Sequence, residues 1–173
     1  LRVAPKPIHA ASSNILQLPE KLQSGRHDIW AYLQQTEQNF AIIGPPGSGK
    51  TTLLSHIALT LTQSWLQRRK EGVLNNLPIL LTLLEHAEAI ATEGSEPFGM
   101  EDAVRADLRK WKKEVPEGWV RRSLDKGKYL VLLDGLDEIA DIVQRQKVVA
   151  WGERQMKAYP KCQFVVTSRP HGY

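Results

Sequence analysis

The chain has 173 residues, 42% of them apolar and 24% charged, with a formal net charge of +4. These values suit one soluble globular domain with a sizeable core. The single cysteine, Cys162, excludes an internal disulfide framework and fits a reducing, cytoplasmic compartment.

Residues 1 to 19 contain Pro5, Pro7 and Pro19 with little periodicity and read as a linker or an N-terminal arm packing on the domain. Residues 20 to 37 have helical spacing, with Leu22, Ile29, Trp30 and Leu33 as apolar positions. A first strand is expected over residues 39 to 44. The helix that follows is expected to run to Arg69 or Lys70, before Gly72. Leu77 to Leu83 reads as a buried parallel strand with Pro78 at its entry. It is too short, and too interrupted by Pro78 and Thr82, to span a membrane. A short helix is expected from His86 to Ala91, then a loop over residues 92 to 100 carrying Gly94, Pro97 and Gly99.

Helices are predicted from Met100 to Glu114 and from Glu117 to Asp125, the second closed by Gly127. Within the first, Arg109-Lys110-Trp111-Lys112-Lys113 reads as a solvated helix face with Trp111 partly buried, so nucleic acid is not expected as a partner. Trp30, Trp65, Trp119 and Trp151 are expected to pack. Tyr129 to Leu133 is a uniformly apolar run, as a covered central strand should be. Ile142 to Tyr159 is an amphipathic helix and Gln163 to Thr167 a fourth strand, with Cys162 before it as a buried structural thiol. Buried strands alternating with helices imply an α/β sheet with right-handed crossovers.

Three stretches carry chemistry. Residues 44 to 51 read Gly-Pro-Pro-Gly-Ser-Gly-Lys-Thr, the phosphate-loop pattern, between a β-prone run and a helical one. Its glycines let backbone N–H groups turn inward around phosphate oxygens, and the next helix aims its positive end at the same point. Lys50 can reach β- and γ-phosphates, and Thr51 can offer a hydroxyl to Mg²⁺. The second stretch is Asp134-Gly135-Leu136-Asp137-Glu138, at the carboxyl end of the central strand, where α/β sheets collect functional groups. One Asp there can orient the waters of Mg²⁺, and a further carboxylate can polarise an attacking water. The third is Thr167-Ser168-Arg169-Pro170, whose guanidinium can read a γ-phosphate. The histidines show no metal-ligand spacing.

From Gly44 to Leu54, from Leu132 to Glu138 and from Phe164 to Tyr173, the chain resembles a NACHT domain, a branch of the signal-transducing STAND class of P-loop NTPases, in its prokaryotic form. The discriminating residue is Gly135, which stands where AAA+ ATPases usually carry a Glu. The resemblance implies a three-layer α/β/α fold with a mostly parallel sheet over residues 20 to 173. It implies an ATP- and ADP-binding, Mg²⁺-dependent switch whose weak hydrolysis resets it. Nucleotide contacts would come from Gly44, Pro45, Pro46, Gly47, Ser48, Gly49, Lys50, Thr51 and Thr52. Thr51 and Asp134 would hold the metal, Glu138 would be the catalytic carboxylate with Asp137 as second candidate, and Arg169 the sensor. Ser24-Gly25-Arg26 falls where related ATPases carry a Gly-Arg element near adenine, although a helix-start Ser with a solvated Arg26 accounts for it equally well.

The resemblance also sets expectations about what surrounds the core. Flanking effector and sensor domains of one polypeptide would be the partners, with self-association on activation. The chain opens at Leu1 without an initiator Met and stops at Tyr173. It is therefore expected to lack the family's last strand, its small helical domain and its winged helix. That loss would leave the phosphate-loop strand with an unpaired edge and make nucleotide binding weak and hydrolysis slow or undetectable. The alternative reading is an AAA+-like motor or loader ATPase acting on nucleic acid. A P-loop kinase ranks last, since nothing resembles an acceptor site or lid.

Overall fold

A computed structural model describes residues 2–4, 29–35, 39–63, 76–92 and 97–170. Its four apolar runs form the parallel strands β2 (Phe40–Ile43), β3 (Leu77–Thr82), β4 (Tyr129–Asp134) and β5 (Gln163–Ser168), and Arg2–Ala4 adds a short strand β1. The order across the sheet is β1-β2-β5-β4-β3. β5, the last strand in sequence, thus lies between β2 and β4 and carries its end to the middle of the site.

The helices are α1 (Ile29–Gln35), α2 (Lys50–Thr62), α3 (Leu83–Ala91), α4 (Met100–Lys110), α5 (Trp119–Asp125) and α6 (Ile142–Ala158), with a 3-10 turn over Leu136–Glu138. The pleat of the sheet divides them into two layers. Leu130, Leu132 and Val165 face a core completed by Leu33 of α1 and by Leu54, Ile57 and Leu61 of α2. Val131, Leu133, Phe164 and Val166 point the other way, into a larger core with Ala87, Met100, Val120, Leu124, Val148 and Trp151. β4 and β5 are buried along their whole length, which explains why both read as unbroken apolar runs rather than alternating ones. This is the three-layer α/β/α arrangement that the sequence implied.

The phosphate-loop strand does not present an unpaired edge. β1 lies antiparallel on β2, with Arg2 opposite Ile43, Val3 opposite Ile42 and Ala4 opposite Ala41. An edge strand offers a row of free N–H and C=O groups, and an extended segment of the same chain satisfies them at low entropic cost.

Several boundaries move for local reasons. α2 ends at Thr62, because Gln63 is extended and its N–H turns back to Thr60 O. The Thr62 hydroxyl donates to Leu59 O, a side-chain bond that competes with helix propagation; the expected continuation to Arg69 or Lys70 falls outside the described residues. α3 begins directly after β3, three residues before His86. α4 stops at Lys110 rather than Glu114, because Lys112 adopts a left-handed φ of 53°. Lys112 N–H then donates to Arg109 O and Lys113 N–H to Leu108 O, closing the helix as a glycine would. Trp111 at that end is 77% exposed, not partly buried. Gly127 does close α5, and the site demands glycine: its φ is 67°, and a Cβ there would lie 2.6 Å from Lys161 O. Trp151 packs at 1% exposure, whereas Trp119 is 40% exposed; Trp65 and Arg26 lie outside the described residues.

Candidate nucleotide site

The site forms where β2, β5 and β4 end. Gly44 follows β2, and its N–H donates to Ser168 O at the end of β5 (3.2 Å). The loop that follows turns through Gly47 at φ 70° and Gly49 at φ 81°. A Cβ at either position would meet nothing within 4 Å, so backbone conformation rather than space requires glycine there. α2 starts at Lys50, directly after the turn, and thereby aims unpaired N–H groups into the loop. The Lys50 ammonium folds over the loop and donates to Gly44 O (2.9 Å) and Pro45 O (3.1 Å). The Ser48 hydroxyl is buried and has no hydrogen-bond partner among the described residues. A buried polar atom left unpaired is costly, and an anion in the loop would satisfy it.

Asp134 closes β4 in a buried position, 7% exposed. Its Oδ1 accepts from the Thr167 hydroxyl (2.5 Å), and the same hydroxyl oxygen accepts from Gly135 N–H (2.9 Å). Thr167, wholly buried on β5, therefore fixes both the carboxylate and the turn after it. Sequence reasoning missed this role; the available signal was a polar residue at the end of an apolar strand that precedes Arg169. Gly135 takes φ 79° and launches the 3-10 turn that carries Asp137 and Glu138.

The two acids of that turn are not equivalent. Asp137 is 6% exposed in its side chain and pairs with Arg169, Oδ2 to Nε at 2.7 Å. Its Oδ1 accepts from the Arg169 backbone N–H (2.9 Å). The Glu138 carboxylate makes no ion pair or hydrogen bond with another described residue and is exposed. Thus Asp137 holds the end of β5, and Glu138 remains free to accept a hydrogen bond from a ligand or water.

One cavity of about 260 Å³ brings these groups together. Pro46 to Thr52 line one side, and Asp134, Gly135, Asp137, Glu138, Thr167 and Arg169 the other. Gly44 and Pro45, expected as nucleotide contacts, do not line the cavity; their carbonyls accept from Lys50 instead. The oxygen donors present, the Thr51 hydroxyl and the Asp134 carboxylate, are the kind that Mg²⁺ takes, together with waters and phosphate oxygens. No cluster of three His, Cys, Asp or Glu exists among the described residues, so a metal ion would depend on the phosphates for its remaining ligands. Cys162 lies outside the site, donating to Leu124 O (3.2 Å). Burial pushes its thiol pKa up, which suits a structural residue rather than a nucleophile.

The family model of the NACHT domain matches residues 38–173. No curated protein and no solved structure matches the chain. No helix among the described residues is long and apolar enough to cross a membrane.

Proposed function

The chain belongs to the NACHT family of nucleotide-binding NTPases, and from that premise we propose that it is a Mg²⁺-dependent ATP/ADP switch of a larger signal-transducing protein, reset by slow hydrolysis. The observation that carries this reading is the shared cavity. A phosphate loop, a buried Asp, a free Glu and an Arg at the end of β5 converge on it. In its present pairing Arg169 is held by Asp137, so a γ-phosphate must compete for the guanidinium. That competition would make the position of β5's end depend on whether the third phosphate is present.

Hydrolysis follows from the same groups. Lys50 and the loop N–H groups would draw charge from the β- and γ-phosphates. Thr51 and Asp134 would hold Mg²⁺, which would supply positive charge to offset that developing on the phosphates. Glu138 would accept a proton from a water attacking the γ-phosphorus. The bond from that phosphorus to the bridging oxygen breaks, and ADP leaves with phosphate. Flanking effector and sensor domains would read the two states, with self-association in the ATP state and cytoplasmic residence.

Titration of ATP and ADP against wild type, Lys50→Ala and Arg169→Ala tests this. Lys50→Ala should weaken both nucleotides by about tenfold to a hundredfold, the range for charge-assisted hydrogen bonds. Arg169→Ala should lower ATP affinity alone; equal loss for both nucleotides would remove the sensor assignment.

A further inference from the structure

We infer that the exposed end of α4 and the turn that follows it, Arg109 to Lys113, form a binding site for single-stranded nucleic acid, separate from the nucleotide cavity. Trp111 is 77% exposed, and Arg109, Lys112 and Lys113 around it are exposed as well. None of these three cations forms an ion pair with a described residue. An indole face beside unneutralised cations is the combination that stacks a base while holding its phosphates.

Simple helix chemistry accounts for only part of this group. Positive charge at a helix C-terminus offsets the macrodipole within the last turn, and Arg109 and Lys110 both sit there, Lys110 paired with Glu85 and Asp107. Lys112 and Lys113 lie beyond that turn. Lys112 moreover occupies a left-handed backbone position, φ 53°, where glycine or asparagine closes a helix at less cost. The strain is retained together with a charge that forms no ion pair with a described residue. Arg109 also lines a hollow of about 250 Å³ together with Arg105, Leu108, Glu114 and Val115.

Lys110 pairs with Glu85 in the first turn of α3, and α3 starts directly after Thr82, the residue in register with Asp134. No residue from 105 to 115 lines the nucleotide cavity. β3, which leads into α3, is separated from β2 by β5 and β4, about 14 Å at ordinary strand spacing. The ligand class is a flexible polyanion with exposed aromatic bases. A duplex hides its base faces, and an acidic peptide offers charge without them.

The test is fluorescence anisotropy of a labelled oligothymidylate about a dozen nucleotides long, using the whole chain. Binding should show a log–log salt slope of about −2, as three phosphate contacts on a single strand would give. Trp111→Ala should weaken binding by about tenfold, with ATP affinity unchanged. Lys112→Gly should raise the melting temperature by relieving the left-handed residue, while lowering the salt slope by about 0.7. Binding that is indifferent to Trp111→Ala, or equal for heparin and the oligonucleotide, would overturn the assignment. So would absence of oligonucleotide binding alongside capture by phosphatidylserine vesicles, which would make the turn a membrane contact.

Discussion

The Arg169 guanidinium meets the Asp137 carboxylate at 2.7 Å, while the other oxygen of that carboxylate accepts from the Arg169 backbone N–H. One acid thus grips both the side chain and the main chain of the residue that leaves β5. The side-chain half of the grip can exchange its partner for a phosphate, and the backbone half can stay.

Asp137→Asn separates the two halves. The amide oxygen can still accept from the Arg169 N–H, but the charge that competes with a γ-phosphate is gone. Since Arg169 is half exposed, the competing pair is worth at most about 1 kcal/mol. ATP affinity should therefore rise by no more than about fivefold, with ADP affinity unchanged, as read by titration calorimetry. A fall in ATP affinity would show that Asp137 aims the guanidinium rather than restrains it.

Glu138→Gln should leave ATP binding intact and reduce single-turnover hydrolysis by about a hundredfold or more, the range for losing a general base. Asp137→Asn should retain most of the rate. The reverse ranking of these two variants would move the catalytic role to Asp137.

Thr167→Val removes a hydroxyl that serves Asp134 and Gly135 together. Two buried groups lose their partner, at a cost of about 1–3 kcal/mol, visible as a lower urea midpoint. The added effect is specific to the site: Mg²⁺-dependent tightening of ATP should weaken, because Asp134 is no longer oriented. Thr167→Ser, which keeps the hydroxyl, should restore the Mg²⁺ effect.

Alkaline stability carries a signature of the larger core. Burial pushes the Cys162 thiol and the Tyr129 and Tyr159 hydroxyls up in pKa. The unfolded chain therefore loses these protons first. Their stabilising contribution is complete below the ordinary thiol range and is lost as pH rises through it and then through the phenol range. Urea midpoints measured from about pH 7 to about pH 10 should fall, and Cys162→Ala should flatten the first part of that decline.

Much of this architecture was legible because it is written locally. The phosphate loop needs its glycines in one run, and the middles of β4 and β5 needed consecutive apolar residues because both faces are covered. The acidic box was legible for the same reason, as it adjoins its strand. What stayed hidden depends on contacts remote in sequence. Asp137 and Arg169 are 32 residues apart, and nothing near either one announces the pairing that distinguishes Asp137 from Glu138. β1 reads as irregular chain until the edge of β2 gives it a partner. The helix end beside the exposed Trp111 is closed by Lys112 at a left-handed angle, which residue type alone argues against.

The register of β1 on β2 gives the domain a direction of mechanical weakness. Because the strands are antiparallel and Arg2 stands opposite Ile43, tension on the N-terminus would not shear the ladder all at once. It would peel the ladder one residue at a time, starting beside Gly44. A pull on that end of the chain would be felt first at the base of the phosphate loop, while the parallel pairing of β2 with β5 on the other side would still bear its load.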